Sequence, residues 1–209
     1  MSVASAVRRT AAAAAVLVAA FAGSAAPGSA GSIGTGQAAY CDPTVSQPFA
    51  PWDDDAYYRL APGGSFEPGT PSWSLTGDAR IVPGNESFFV GDSNDKKSLF
   101  LPAGSSATSP STCFNFGDWH LRFFVANRAS TGRLKVTLVV RSLLGVLSVI
   151  DGGTVSAGST WEPSPRIELT ISNVTSLVGT AAVQVRLTPV GADAAFQVDD
   201  LYVDPWVSS

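Results

Sequence analysis

Two aspartates side by side in an apolar stretch ask for a chemical partner. "FQVDDLYV", Phe196 to Val203, reads as a buried strand interrupted by Asp199 and Asp200. Carboxylates in a folded core are costly unless an ion or hydrogen-bond donors compensate them. Three more acids, Asp53, Asp54 and Asp55, stand in a row among aromatics in "PWDDDAYY". Paired acids can hydrolyse glycosidic bonds without a histidine. Consecutive acids point in different directions, however, and in a Pro-rich loop they cap turns or face water. His120 is the only histidine, so a Ser–His–Asp or Cys–His arrangement would have to use it. No G-x-S-x-G elbow accompanies it, and one histidine cannot supply a zinc shell.

The two cysteines, Cys41 and Cys113, both follow a segment with the features of an export signal. Arg8 and Arg9 make its positive start, Thr10 to Phe21 its apolar centre, and small residues up to Ala30 suit a peptidase. Met1–Ala30 is therefore expected to be a signal peptide and the mature chain to be secreted, extracellular. In an oxidising compartment Cys41 and Cys113 are expected to pair. Closing a loop of that length contributes roughly 4 kcal/mol in the loop-entropy model. No further apolar run is long enough to span a bilayer.

Charge narrows the partners. The chain carries a formal net charge of −4, and removing Met1–Ala30 takes away two arginines and no acid. An acidic chain without a basic run argues against nucleic acid.

The elements that must position these groups are strands. Residues 31–39 read as a flexible leader of small residues, and 40–209 as one domain. Tyr40 to Pro62 is irregular, and "PGGSFEPGTPSW" is dominated by turn chemistry. Period-2 alternation starts at Trp73 and runs through Leu75, Gly77 and Ala79. Phe88–Val90 and Ser98–Leu101 are short apolar pieces, while "WHLRFFVAN" and "LKVTLVVRSLL" are longer strands separated by Gly132. "RIELTIS" and "VQVRLTP" alternate cleanly. Strands at this spacing with intervening turns predict an all-β, antiparallel β-sandwich.

Three of these pieces carry a resemblance. "GGSFEPGTPSWSLTGDARIV", "KKSLFL" and "AFQVDDLYVD", in that order, resemble the first turn, second short strand and closing strand of jelly-roll carbohydrate-binding modules, galactose-binding-like β-sandwiches. "PFAPWDDDAYYRLAPGGSFE" and "LPAGSSATSPSTC" also resemble signature stretches of a group of secreted actinobacterial proteins, a likeness that carries no activity. The first resemblance implies a sandwich of jelly-roll type holding a structural calcium. Its ligands would be the carboxylates of Glu67 and Asp199, with backbone carbonyls near Ser65 and Lys96 or Lys97, leaving Asp200 exposed on the other face of the strand. Calcium accepts such mixed oxygen shells. The resemblance also implies sugar binding on exposed rings: Trp161 first, then Trp119 and Tyr58, with Trp52, Tyr57 and Trp206 as further candidates. The expected function is thus an exported, non-catalytic binding domain for a glycan or cell-surface component. The contrasting readings are a structural or protein-interaction component of the cell envelope, and a small glycoside hydrolase using paired acids.

Overall fold

Alternating apolar residues become two antiparallel sheets facing each other. The computed structural model describes residues 44–112, 119–142, 147–169 and 180–204. All of these belong to one compact unit, Thr35–Ser209. The expected signal peptide and leader, Cys41, Cys113 and Trp206 lie outside the described residues.

The strands are β1 (Arg59–Leu60), β2 (Ser74–Thr76), β3 (Arg80–Pro83), β4 (Lys97–Pro102), β5 (Ser106–Thr108), β6 (Trp119–Asn127), β7 (Arg133–Ser142), β8 (Leu147–Val155), β9 (Glu162–Pro163), β10 (Ile167–Leu169), β11 (Thr180–Val190) and β12 (Ala195–Val203). One sheet runs β10-β6-β12-β4-β3, with β1 added on β12 and β9 on β6; the other runs β2-β5-β11-β7-β8. The chain crosses repeatedly between the sheets, as in a jelly roll. Among the described residues the only helical piece is a 3-10 turn at Ala50–Trp52, and no helix is long and apolar enough to cross a membrane.

The core lies where the alternation places it. Leu121, Phe123 and Val125 of β6 meet Leu134, Val136, Leu138 and Val140 of β7 and Val183, Val185 and Leu187 of β11. The alternation beginning at Trp73 does not continue as one strand. Gly77 turns the chain at φ +61°, a conformation that favours glycine, so β2 and β3 fall in different sheets. Phe88–Val90 is likewise not a strand but part of the loop between β3 and β4. Strand β8 went unread because its "DGGTV" half interrupts any alternation.

A second, smaller core covers the outer face of the first sheet. Residues 44–60 cross over it, packing Phe49 and Tyr58 on Phe124 and Tyr202. Phe49 stacks on Phe124 at 5.3 Å between ring centres and meets Tyr58 edge-on at 5.1 Å. Asp54 fastens this crossing segment. Its carboxylate accepts from Arg122 Nη1 at 2.7 Å, Tyr58 Oη at 2.7 Å and Arg166 Nη2 at 3.2 Å. Burial alone would raise the Asp54 carboxyl, but these donors hold it below its ordinary value. Burial pushes the Tyr58 hydroxyl up to about 12.

Candidate functional site: a carboxylate cluster and the groove beside it

Strand β12 changes phase in its middle, and that shift builds the cluster. Phe196 and Val198 face the core; after the bulge it is Leu201 and Val203 that do so, while Tyr202 joins the outer cluster. The register on β6 jumps between Asp199 and Tyr202, and Asp200 sits at φ +44°. A bulge re-aims side chains in this way. Both aspartates consequently lie on the outer side of the sheet, each fully buried at 0 % exposure. The expectation that Asp200 would leave on the other face, into solvent, is corrected here: simple alternation does not survive a bulge.

Both carboxylates meet the loop joining β3 to β4. Both Asp199 oxygens accept from amides, Oδ2 from Glu86 N and Oδ1 from Asp200 N, both at 2.9 Å. Asp200 differs. Its Oδ2 accepts from Gly91 N at 3.0 Å, and its buried Oδ1 has no partner among the described residues. Glu86, fully buried, turns its carboxylate back on its own loop, accepting from the amides of Phe88 and Val90. Glu67 Oε1 accepts from Lys96 N and Lys97 N at 2.5 and 2.6 Å. Around Gly91 there is a cradle: a β-carbon there would lie 2.8 Å from Asp200 Oδ2, 3.1 Å from Asp200 Oδ1 and 3.1 Å from Asp95 Oδ2.

The electrostatics follow from this crowding. Burial, then the charges of Glu86, Asp95 and Glu67, lift the Asp200 carboxyl well above the ordinary carboxylate value. Burial, then Asp200 itself, does the same to Asp199. Asp95 is raised by burial and by Glu67 and Asp92. Among the described residues no cation stands in an ion pair with any of these acids. No three of the described acids are gathered as a ready metal shell. The carboxylates that could hold a divalent cation together are Asp200 and Asp95, whose oxygens both lie about a β-carbon position at Gly91, with Glu86 and Glu67 close by. An unpartnered buried oxygen and a cradle free of side chain both favour that fit.

The other expected ligands are placed differently. Each Asp199 oxygen already accepts one amide, whereas Asp200 keeps an oxygen without a partner among the described residues. The Lys96 carbonyl already accepts from Gly84 N at 2.8 Å, and Ser65 is buried in the turn. That turn does lie against the last strand, as the resemblance implied: Leu201 N donates to Gly64 O at 3.2 Å and Ala61 N to Leu201 O at 2.8 Å.

Of the expected sugar-stacking rings that are described, Trp52 and Trp161 both pack against the outer cluster, each partly buried. Tyr58 is fully buried, with its hydroxyl on Asp54, so it has no face to offer; a ring in a Pro-rich, acidic context proved to be core. Trp161 is half-buried against the outer cluster, and the Arg128 guanidinium lies 5.2 Å over its ring. Trp119 starts β6, and its side chain lies outside the described residues. Tyr57, Phe88 and Phe89 are exposed.

Sequence reading missed a groove of about 360 Å³ lined by Phe66, Trp73, Leu75, Ile81, Glu67 and Lys97, among others. It opens between the outermost strands of the two sheets, β2 and β3, under the turn 63–72. The sandwich is unclosed at that edge, so core side chains form its floor. Phe66 adopts φ +57° there and packs on Trp73 at 5.1 Å. The turn-rich sequence "PGGSFEPGTPSW" was the available signal, since long Gly/Pro turns often carry binding sites. Glu67 lines the groove and also faces the carboxylate cluster.

The sequence matches no protein-family model and no curated protein. Among solved structures, it is similar to the CBM22-1 xylan-binding domain of Paenibacillus barcinonensis Xyn10C, at 14 % identity over 66 % of this chain and 88 % of that one, with a TM-score of 0.47. It is also similar to the tandem CBM22-1–CBM22-2 of the same protein, at 15 % identity over 69 % of this chain and 44 % of that one, with a TM-score of 0.49. This chain thus spans less than half of the tandem. A third is the family 11 carbohydrate-binding module of Clostridium thermocellum Lic26A-Cel5E, at 11 % identity over 73 % and 96 % of the two chains, with a TM-score of 0.45. At these identities the likeness is one of fold.

Proposed function

We propose that this chain is an exported, non-catalytic domain that binds a glycan, with a structural calcium ion seated by Asp200 and Asp95. The groove between β2 and β3 carries the reading. It joins an aromatic and aliphatic floor to a polar rim, the combination a sugar ring requires: apolar C–H faces on one side, hydroxyls around the edge. The sequence resemblance to carbohydrate-binding modules points the same way.

The calcium stabilises the domain and takes no part in a reaction. When bound, it supplies positive charge where Asp200 has none, and so ties the β3–β4 loop to the last strand. The buried acids do not suit hydrolysis, because Glu86, Asp199 and Asp200 lie beneath the loop at 0 % exposure, out of reach of a substrate's leaving group. Asp54, in the acid run, is engaged by two arginines.

The test is a glycan array probed with the chain in calcium and in chelator. Reproducible binding to a defined glycan in calcium is expected. A blank array in both conditions would overturn the reading and favour the envelope role, for which exposed Leu147 and Val149 on the outermost strand β8 supply a surface.

A further inference from the structure

We propose that the groove between β2 and β3 takes the terminal one or two pyranose residues of a neutral glycan, recognised from its rim by Lys97 and Glu67. This rests on the glycan-binding reading and specifies its ligand. Size comes first. At about 360 Å³ the groove stands at the small end of the range for ligand pockets, roughly 300–1,000 Å³, a size that suits one or two sugar residues at a chain end.

Charge comes second. Among the described residues the Lys97 ammonium has no ion-pair partner, while the Lys97 backbone N–H donates to Glu67 Oε1. Glu67 Oε1 accepts two amides, and among the described residues no hydrogen bond falls on Oε2. The rim therefore offers one cationic donor, one anionic acceptor and the exposed Ser72. Opposite charges of equal size select no net charge on the ligand. They suit hydroxyls, which donate to one and accept from the other.

The floor comes third. Trp73 directs its indole N–H to Pro62 O at 3.2 Å, so its polar edge is already satisfied and only apolar ring faces the groove's side. Ile81, 40 % exposed, extends that apolar surface along β3. A bare apolar flank with a hydroxyl-reading rim fits a pyranose, whose two sides differ in the same way.

The experiment is an NMR titration of the full chain in calcium with methyl glycosides, disaccharides and hexasaccharides of glucose, xylose, galactose and mannose. The same series is run on Ser72→Trp, which fills the groove from an exposed position, and on Lys97→Met. For the sugar that binds, the disaccharide is expected to match the hexasaccharide within about threefold, and each variant to weaken binding by about tenfold or more at unchanged melting temperature. Hexasaccharide binding more than about tenfold tighter than disaccharide, or wild-type affinity in both variants, overturns the assignment while leaving glycan binding intact elsewhere on the domain. No binding by any sugar in the wild type would overturn the glycan reading itself and this inference with it. Binding confined to uronic-acid or amino sugars, run as controls, would refute the neutral selection.

Discussion

Replacing Asp200 with Asn tests the ion directly, because Asn keeps the shape and the acceptor for Gly91 N and removes only the charge. The wild-type domain should gain stability in calcium by mass action, about 2.7 kcal/mol at a hundredfold excess over the dissociation constant. For a domain of this length each kcal/mol moves the melting temperature by roughly 2–4 °C, so the calcium-minus-chelator difference should be roughly 5–10 °C. In Asp200→Asn that difference should vanish. The metal-free comparison has the opposite sign. Asp200 without an ion is a buried carboxylate with an unpartnered oxygen beside Glu86 and Asp95, and neutralising an uncompensated buried charge is stabilising. In chelator the variant should therefore melt above the wild type, and in calcium below it. Asp199→Asn should behave otherwise: its amide keeps one acceptor and turns a donor on the other N–H, so it loses either the Glu86 N or the Asp200 N bond in both conditions and keeps most of the calcium shift. Differential scanning fluorimetry of the three proteins with calcium and with chelator reads all of this. A full calcium shift in Asp200→Asn, or none in the wild type, would refute the assignment of the ion to Asp200.

Asp54→Ala should cost about 3 kcal/mol in urea unfolding, because it strands the buried Arg122, and Asp54→Ala with Arg122→Met should recover part of the loss; a cost below about 1 kcal/mol would place the pair among surface bridges. The Asp54 carboxyl is held below its ordinary value, so its contribution is present above the unfolded-state value of 3.8 and is lost as pH falls through the lower folded value. Amide exchange of residues 44–60 should therefore stay slow at pH 5 and quicken only below 3.8, and quickening above that would contradict the clasp. Non-reducing mass spectrometry of the chain folded under oxidising conditions should recover the peptides of Cys41 and Cys113 linked, and separate peptides would disprove the pairing.

Long strands were the legible part of this sequence. "WHLRFFVAN" is β6 residue for residue, and the apolar alternants of β7 and β11 are the core, because a sheet with one buried face writes its period into the chain. The outer layer was not legible. Phe49 and Tyr58 sit in irregular backbone without any period, and their burial depends on Phe124 and Tyr202 presenting an apolar outer face that alternation assigns to solvent. Tyr58 was misread for that reason. The groove was invisible for a different one: it is the gap between the edges of two sheets, and which strands become edges is a matter of topology that no local pattern encodes. Of the cluster, the sequence pointed to a strand and a turn that do meet, but it gave no sign that Asp200 is buried.

The expected exposure of Asp200 follows from treating "FQVDDLYV" as an unbroken strand. In strict alternation one of two neighbouring aspartates must face the core. If Asp199 faces out with Gln197, Asp200 would point in among Leu99, Leu121 and Phe123, where nothing pairs with a carboxylate. The strand avoids this by inserting a residue. With the bulge, Leu201 and Val203 recover the inward face that Phe196 and Val198 held before it, and both carboxylates reach the loop amides outside. The apolar residues carry the sign of it in the sequence: Phe196 and Val198 are even-numbered, Leu201 and Val203 odd-numbered, so the inward parity switches across the two acids. A parity switch centred on adjacent acids thus marks a bulge. The residue at its left-handed position, here Asp200 at φ +44°, is the one whose carboxylate is re-aimed and left with an oxygen that has no partner among the described residues.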